Sequence, residues 1–107
     1  MGQLLRGAVV YLDFPFSDLS DTQRRPALIL AEAYYGDVVL CQITAKNSTF
    51  AVEITAADFE DGGLPLSPSY VRWDRLFTAE VKVDAWRGKL TSSKMDEIMD
   101  KVRKLFS

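Results

Sequence analysis

Between Arg25 and Thr55 the chain sets three apolar runs in quick succession: "RPALILAE" (25–32), "DVVLCQIT" (37–44) and "FAVEIT" (50–55). The links between them, "AYYG" and "AKNST", are of hairpin length, far below the dozen or so residues that a parallel crossover needs. Successive runs therefore read as antiparallel strands. An earlier run, "RGAVVYLDF" (6–14), and a later one, "SYVRWDRLFTAEVKV" (69–83), extend the pattern, the latter as one bent strand or two short ones. Between them "AADFE" suits a short helical turn, and "DGGLPLSP" is a loop. No Lys-Ser/Thr follows Gly62 and Gly63, so no phosphate loop is built there. The final segment "TSSKMDEIMDKVRKLF" changes period: Met95, Ile98, Met99, Val102 and Leu105 recur at helical spacing. Thr91, Ser92 and Ser93 offer N-caps, Asp96 and Glu97 follow in the first turn, and Lys101, Arg103 and Lys104 suit the last. The fold expected is mainly β, mixed α+β: five to seven short strands in a strongly bent sheet or small barrel, closed by a C-terminal helix.

With 107 residues, 48% of them hydrophobic and 26% charged, residues 1–107 read as one soluble domain able to bury a core without staples. Cys41 is the single cysteine; among strand formers it reads as a small buried side chain, which fits a reducing cytoplasm. No run approaches the roughly 20 apolar residues of a membrane span, and "MGQLLRGAVVYLDF" lacks a signal's basic start and cleavage site. A net charge of −2 speaks against nonspecific coating of nucleic acid while leaving room for a local basic groove. The absence of histidine removes the usual general base near neutral pH and the commonest metal ligand.

Chemistry concentrates at "QRRPALIL". Pro26 pushes Arg25 into extended geometry and tolerates the first position of a strand, so a fixed charge stands at the mouth of a sheet. Alternation groups Arg25 with Ala27 and Ile29, and Arg24 with Pro26 and Leu28, so that one arginine of the pair lines a given groove. If the second and third strands pair, Arg25 converges with Thr44 at one rim, with Gln42 nearby. A guanidinium, a hydroxyl and an amide with no carboxylate beside them make an oxyanion or phosphate site; the alternative is an arginine paired with Asp13, Glu32 or Asp37. Tyr70, Arg72, Trp73, Arg75 and Phe77 mix aromatics with cations as single-stranded RNA sites do, and Trp73 is the surface candidate among them. Phe14 and Phe16 stand at the loop entrance, and Trp86 beside Arg87 is open to stacking or to a dimer face. The carboxylates of "DFEDG" lack the further ligands and spacing of a metal site.

Taken in order, "GAVVYLDFPFSD", "RRPALIL", "VVLCQIT", "SYVRWDRLFT" and "GKL...MDEIMDKV" resemble the PemK/MazF toxins of type II toxin–antitoxin systems. The resemblance implies a small SH3-like or CcdB-like barrel. It also implies a metal-independent, cofactor-free, ribosome-independent endoribonuclease, usually a homodimer, that cuts single-stranded RNA and is silenced by a cognate antitoxin. On this chain the family's catalytic arginine falls on Arg25 and its threonine on Thr44. Ser17 or Ser20 would supply the hydroxyl of the loop before the arginine, although "SDLSDTQR" departs from the family's loop and adds Asp18 and Asp21. Arg24, Gln42, Lys46, Arg72, Trp73 and Arg75 complete the expected RNA surface, and Glu53, Asp74 and Lys46 are proton-transfer candidates by residue type. A gyrase poison of the CcdB kind, which ends in Trp-Gly-Ile, and a noncatalytic small-barrel binding module are the competing expectations; this chain ends "KLFS".

Overall fold

The computed structural model describes residues 6–15, 22–33, 36–65 and 67–107. Among these residues seven strands are formed: β1 (Ala8–Pro15), β2 (Thr22–Glu32), β3 (Asp37–Thr44), β4 (Ala51–Ile54), β5 (Phe59–Gly62), β6 (Ser69–Glu80) and β7 (Trp86–Leu90). One helix, α1 (Ser92–Leu105), follows. The strands make a single curled antiparallel sheet in the order β4-β6-β3-β2-β1-β7-β5.

β1, β2 and β3 form the expected meander, but β6 enters between β3 and β4. Tyr70 of β6 faces Thr44 on one side and Glu53 on the other. The link 45–50 therefore passes over the start of β6, whose twelve residues are long enough to pair with both neighbours.

β2 starts earlier than the apolar run does, because Thr22 to Arg25 pair with Pro15 to Leu12 of β1. Pro26 therefore lies inside the strand, opposite Tyr11. It is tolerated because pairing with β3 begins one step later, at Ala27 opposite Gln42, so on the β3 side no ladder bond is forfeited.

Two strands were not expected. β5 and β7, "FEDG" and "WRGKL", pair with each other, and β7 also pairs with β1. Gly62, at φ 63°, faces Gly88 across this junction. A Cβ on Gly62 would collide with the Arg87 carbonyl oxygen, and one on Gly88 would lie 2.8 Å from the Asp61 oxygen. Only glycines allow so close an approach. The anticipated helical turn is a 3-10 turn, Ala56–Asp58, in which the Asp58 carboxylate accepts from the Thr55 N–H at 2.8 Å.

Alternation gives the sheet two apolar faces. Val9, Leu28, Leu30, Cys41, Ile43, Val52, Ile54, Val71 and Leu90 pack under Met95, Ile98 and Val102 of α1. Fully burying each such aliphatic side chain contributes about 1.5–3 kcal/mol. Ala8, Val10, Ala27, Ile29, Val38, Leu40 and Ala85 form the second face. Thr91 caps the helix, its Oγ1 accepting from the Lys94 N–H at 3.2 Å. The helix begins at Ser92, so Asp96 and Glu97 fall beyond its first turn, and Leu105 is exposed rather than packed. Among the described residues no helix is long and apolar enough to cross a membrane.

Candidate active site

β3 stops at Thr44 while β2 and β1 run on past it, and a cavity of about 270 Å³ opens where β3 stops. Tyr11, Arg24, Arg25, Pro26, Ile43, Thr44, Ala45, Leu64 and Ser69 line it. The register accounts for the meeting of Arg25 with Thr44: Ala27 opposes Gln42, so two residues further out along each strand bring the arginine beside the threonine on the same face. Arg25 is half-buried, as is Thr44 at the last position of β3. The Thr44 Oγ1 accepts from the Lys46 N–H at 3.3 Å. With that lone pair engaged, the hydroxyl keeps its own proton to donate.

The two arginines share this cavity. Arg24, exposed and 4.0 Å from the Asp13 carboxylate, lines it as well, so the cavity is not confined to one face of the sheet. Tyr11, Leu64 and Ser69 also enter the wall. Nothing in their local sequence marks them; Tyr11 is found only by pairing β1 with β2, which sets it opposite Pro26.

The other expected contacts lie elsewhere. Gln42 is half-buried between Ala27 and Arg72 and does not line the cavity. Lys46 is exposed in the turn beside Thr44. β6 carries an irregularity: Cys41 faces Leu76 while Gln42 faces Arg72, so Trp73, Asp74 and Arg75 are extra residues on that strand. Within it Arg72 is not an open cation. Its Nε and Nη2 donate to the two Asp74 oxygens at 2.8 and 2.7 Å, which raises the Arg72 pKa and holds the Asp74 carboxyl below its usual range. Trp73 packs partly onto the helix-side core, its ring meeting Phe50 edge-on at 5.6 Å, while Arg75 is exposed. Ser17, Ser20 and Phe16 lie outside the described residues, as does the Phe14 side chain.

The Cys41 thiol is pushed up to about 12, by burial first and by the nearby Asp74 charge second. It is no nucleophile near neutral pH. The carboxylates of "DFEDG" are put to structural use: Asp58 closes the turn, and Glu60 pairs with Lys89 at 3.6 Å.

A second cavity, about 710 Å³, is lined by Tyr11, Leu12, Asp13, Arg24 and Ala85 together with Phe77 to Glu80, Lys82 and Asp84. It lies over the second apolar face, with charges of both signs at its edge. Tyr11 and Arg24 belong to both cavities.

The family described as PemK-like, MazF-like toxin of type II toxin–antitoxin system matches residues 5–106. The chain belongs to the PemK/MazF toxin family. Solved structures agree on the fold of this family member. An endoribonuclease from a mycobacterial species is 23% identical, with a TM-score of 0.70 over 99% of this chain and 93% of that one. An endoribonuclease in complex with its cognate antitoxin, also mycobacterial, is 23% identical with a TM-score of 0.71, covering 97% and 95%. MazF in a MazE–MazF structure from Deinococcus radiodurans is 21% identical with a TM-score of 0.73, covering 96% and 95%. No curated protein sequence matches the chain.

Proposed function

We propose that this PemK/MazF family member is a ribonuclease toxin that cuts single-stranded RNA without a metal, acts as a homodimer in the cytoplasm, and is silenced by an acidic, partly disordered cognate antitoxin covering the same groove. The observation that carries the proposal is the meeting of Arg25 and Thr44 in one cavity at the end of β3, in a chain whose structural relatives include endoribonucleases.

The reaction is attack of a ribose 2′-oxygen on the adjacent phosphorus, which leaves a cyclic phosphate and a free 5′-hydroxyl. Negative charge grows on the nonbridging oxygens. Arg25 neutralises that charge with its guanidinium, and the Thr44 hydroxyl donates to the same oxygens. Holding the 2′-oxygen in line with the leaving group supplies a further share of the barrier reduction. Arg24 and Lys46 draw the phosphate backbone to the rim, and the exposed Arg75 extends that charge along β6. Trp73, Gln42 and Arg72 stand behind this surface and shape it, and Ser17 or Ser20 contributes the hydroxyl of the loop before Arg25.

Purified protein incubated with single-stranded RNA and EDTA is expected to yield fragments with cyclic-phosphate and 5′-hydroxyl ends. Removing one transition-state donor costs about 10²- to 10³-fold in rate, so Arg25→Ala and Thr44→Val should each fall by that order while remaining folded. A folded Arg25→Ala variant that cuts as fast as the wild type would overturn the assignment, and a wild-type reaction abolished by EDTA would overturn the metal-free chemistry.

A further inference from the structure

Tyr11 stands where the two cavities meet and lines both. One face of its ring is covered: the Arg87 guanidinium lies over it, 5.2 Å from the centroid. That guanidinium is itself tied down, Nη1 donating to the Trp86 carbonyl at 2.8 Å and to the Asp84 carbonyl at 3.2 Å. Arg87 is absent from the walls of both cavities, whereas Tyr11 lines both, which leaves Arg87 as the backing of the ring.

Across the strand pair Tyr11 faces Pro26, and its neighbour Leu12 faces Arg25. A flat, half-exposed aromatic is thus fixed one strand away from the residues assigned to the scissile phosphate. A π-face beside a phosphate-binding arginine is how single-stranded nucleic acid is gripped one base at a time. The locked cation behind it removes the rotamer freedom that stacking would otherwise have to overcome.

Resting on the ribonuclease assignment, we infer that Tyr11 is the stacking platform for the base of a nucleotide next to the scissile phosphate, and that Arg87 is the positioning residue that holds the ring flat. The ring does the work; the phenol hydroxyl does not.

The test uses the oligoribonucleotide that the wild type cuts, intact for KM and kcat, and for fluorescence a copy synthesised with a 2′-deoxyribose at the cut nucleotide to block cleavage and with 2-aminopurine placed in turn at each flanking position. Wild-type binding is expected to quench the fluorophore at one position. Tyr11→Phe should keep the quench and a KM within about twofold. Tyr11→Ala should lose the quench and raise KM about tenfold, the order expected for one stacked base, with kcat changing less than KM. Arg87→Gln should weaken the quench at that same position alone. An unchanged KM and quench in Tyr11→Ala, with the wild type still cutting RNA, overturns the platform and leaves the ribonuclease standing. A Tyr11→Phe variant that loses kcat at constant KM assigns the hydroxyl instead and equally overturns it. A wild type that neither binds nor cuts RNA overturns both. If Tyr11→Ala does not fold, Tyr11→Leu and Arg87→Gln carry the same comparison.

Discussion

Replacing Asp74 by asparagine tests whether the irregularity in β6 is held by its internal ion pair. Both side chains are largely buried, with 19% of Arg72 and 22% of Asp74 accessible, and the contact is bidentate at 2.7 and 2.8 Å. A solvent-exposed pair contributes at most about 1 kcal/mol, whereas breaking a fully buried one costs about 3–5 kcal/mol. Partial burial and fork geometry place this one between, at about 2 kcal/mol, or roughly 10 °C in melting temperature for a domain of this size. The pH dependence fixes the sign. Asp74 titrates below its ordinary value because Arg72 donates to its charged form. Its stabilisation is therefore complete above the unfolded carboxylate pKa of about 3.9 and is lost as pH falls through the folded value. Thermal melts of wild type and Asp74→Asn followed by circular dichroism should differ by roughly 10 °C at pH 7, and the gap should close in strong acid. Two variants melting together at pH 7, or a gap that persists unchanged at pH 2, would refute the reasoning, as would an Arg72→Met/Asp74→Asn double variant whose losses simply add.

The glycine contact between β5 and β7 makes a second comparison. Gly88→Ala drives a methyl into the Asp61 and Gly63 backbone and should cost about 1–3 kcal/mol, while Gly63→Ala, with open space around it, should leave the urea midpoint unchanged; equal midpoints would show that the strands separate without cost. For Cys41, the raised pKa and complete burial predict no labelling by a thiol reagent at pH 8 in the native state and rapid labelling in denaturant. Stoichiometric native labelling would contradict the packing described for β3.

The strands that sequence revealed are those with strong periodicity on a buried face. β3 was legible residue for residue, because Val38, Leu40, Cys41 and Ile43 all enter the core, and α1 was legible through Met95, Ile98 and Val102. β5 was not, since "FEDG" is partly or fully exposed along its length and takes its structure from its neighbour. β7 was hidden likewise: only Gly88 and Leu90 of "WRGKL" are buried. The pairing of β4 with β6 depends on a partner distant in sequence, which hairpin-length links do not disclose. At the site, Arg25 and Thr44 could be placed together because proline restriction and strand alternation are local rules. Tyr11 could not, since its position against Arg87 arises only when β7 packs beside β1. Arg72 and Asp74 are two residues apart on an ordinary strand spacing, yet their bidentate contact depends on the three extra residues in β6.

The order of strands has a temporal meaning as well. β1 takes its second neighbour from β7, with Ala8 paired to Lys89 and the Leu90 N–H bonded to the Gly7 carbonyl at 3.0 Å. Val9 is enclosed only when Leu90 and α1 arrive. Contacts between segments so far apart in the chain form late. A ribosome making this protein thus releases β1, β2 and β3 long before the part that covers them, so the fold reaches its closed form only after that late segment has emerged.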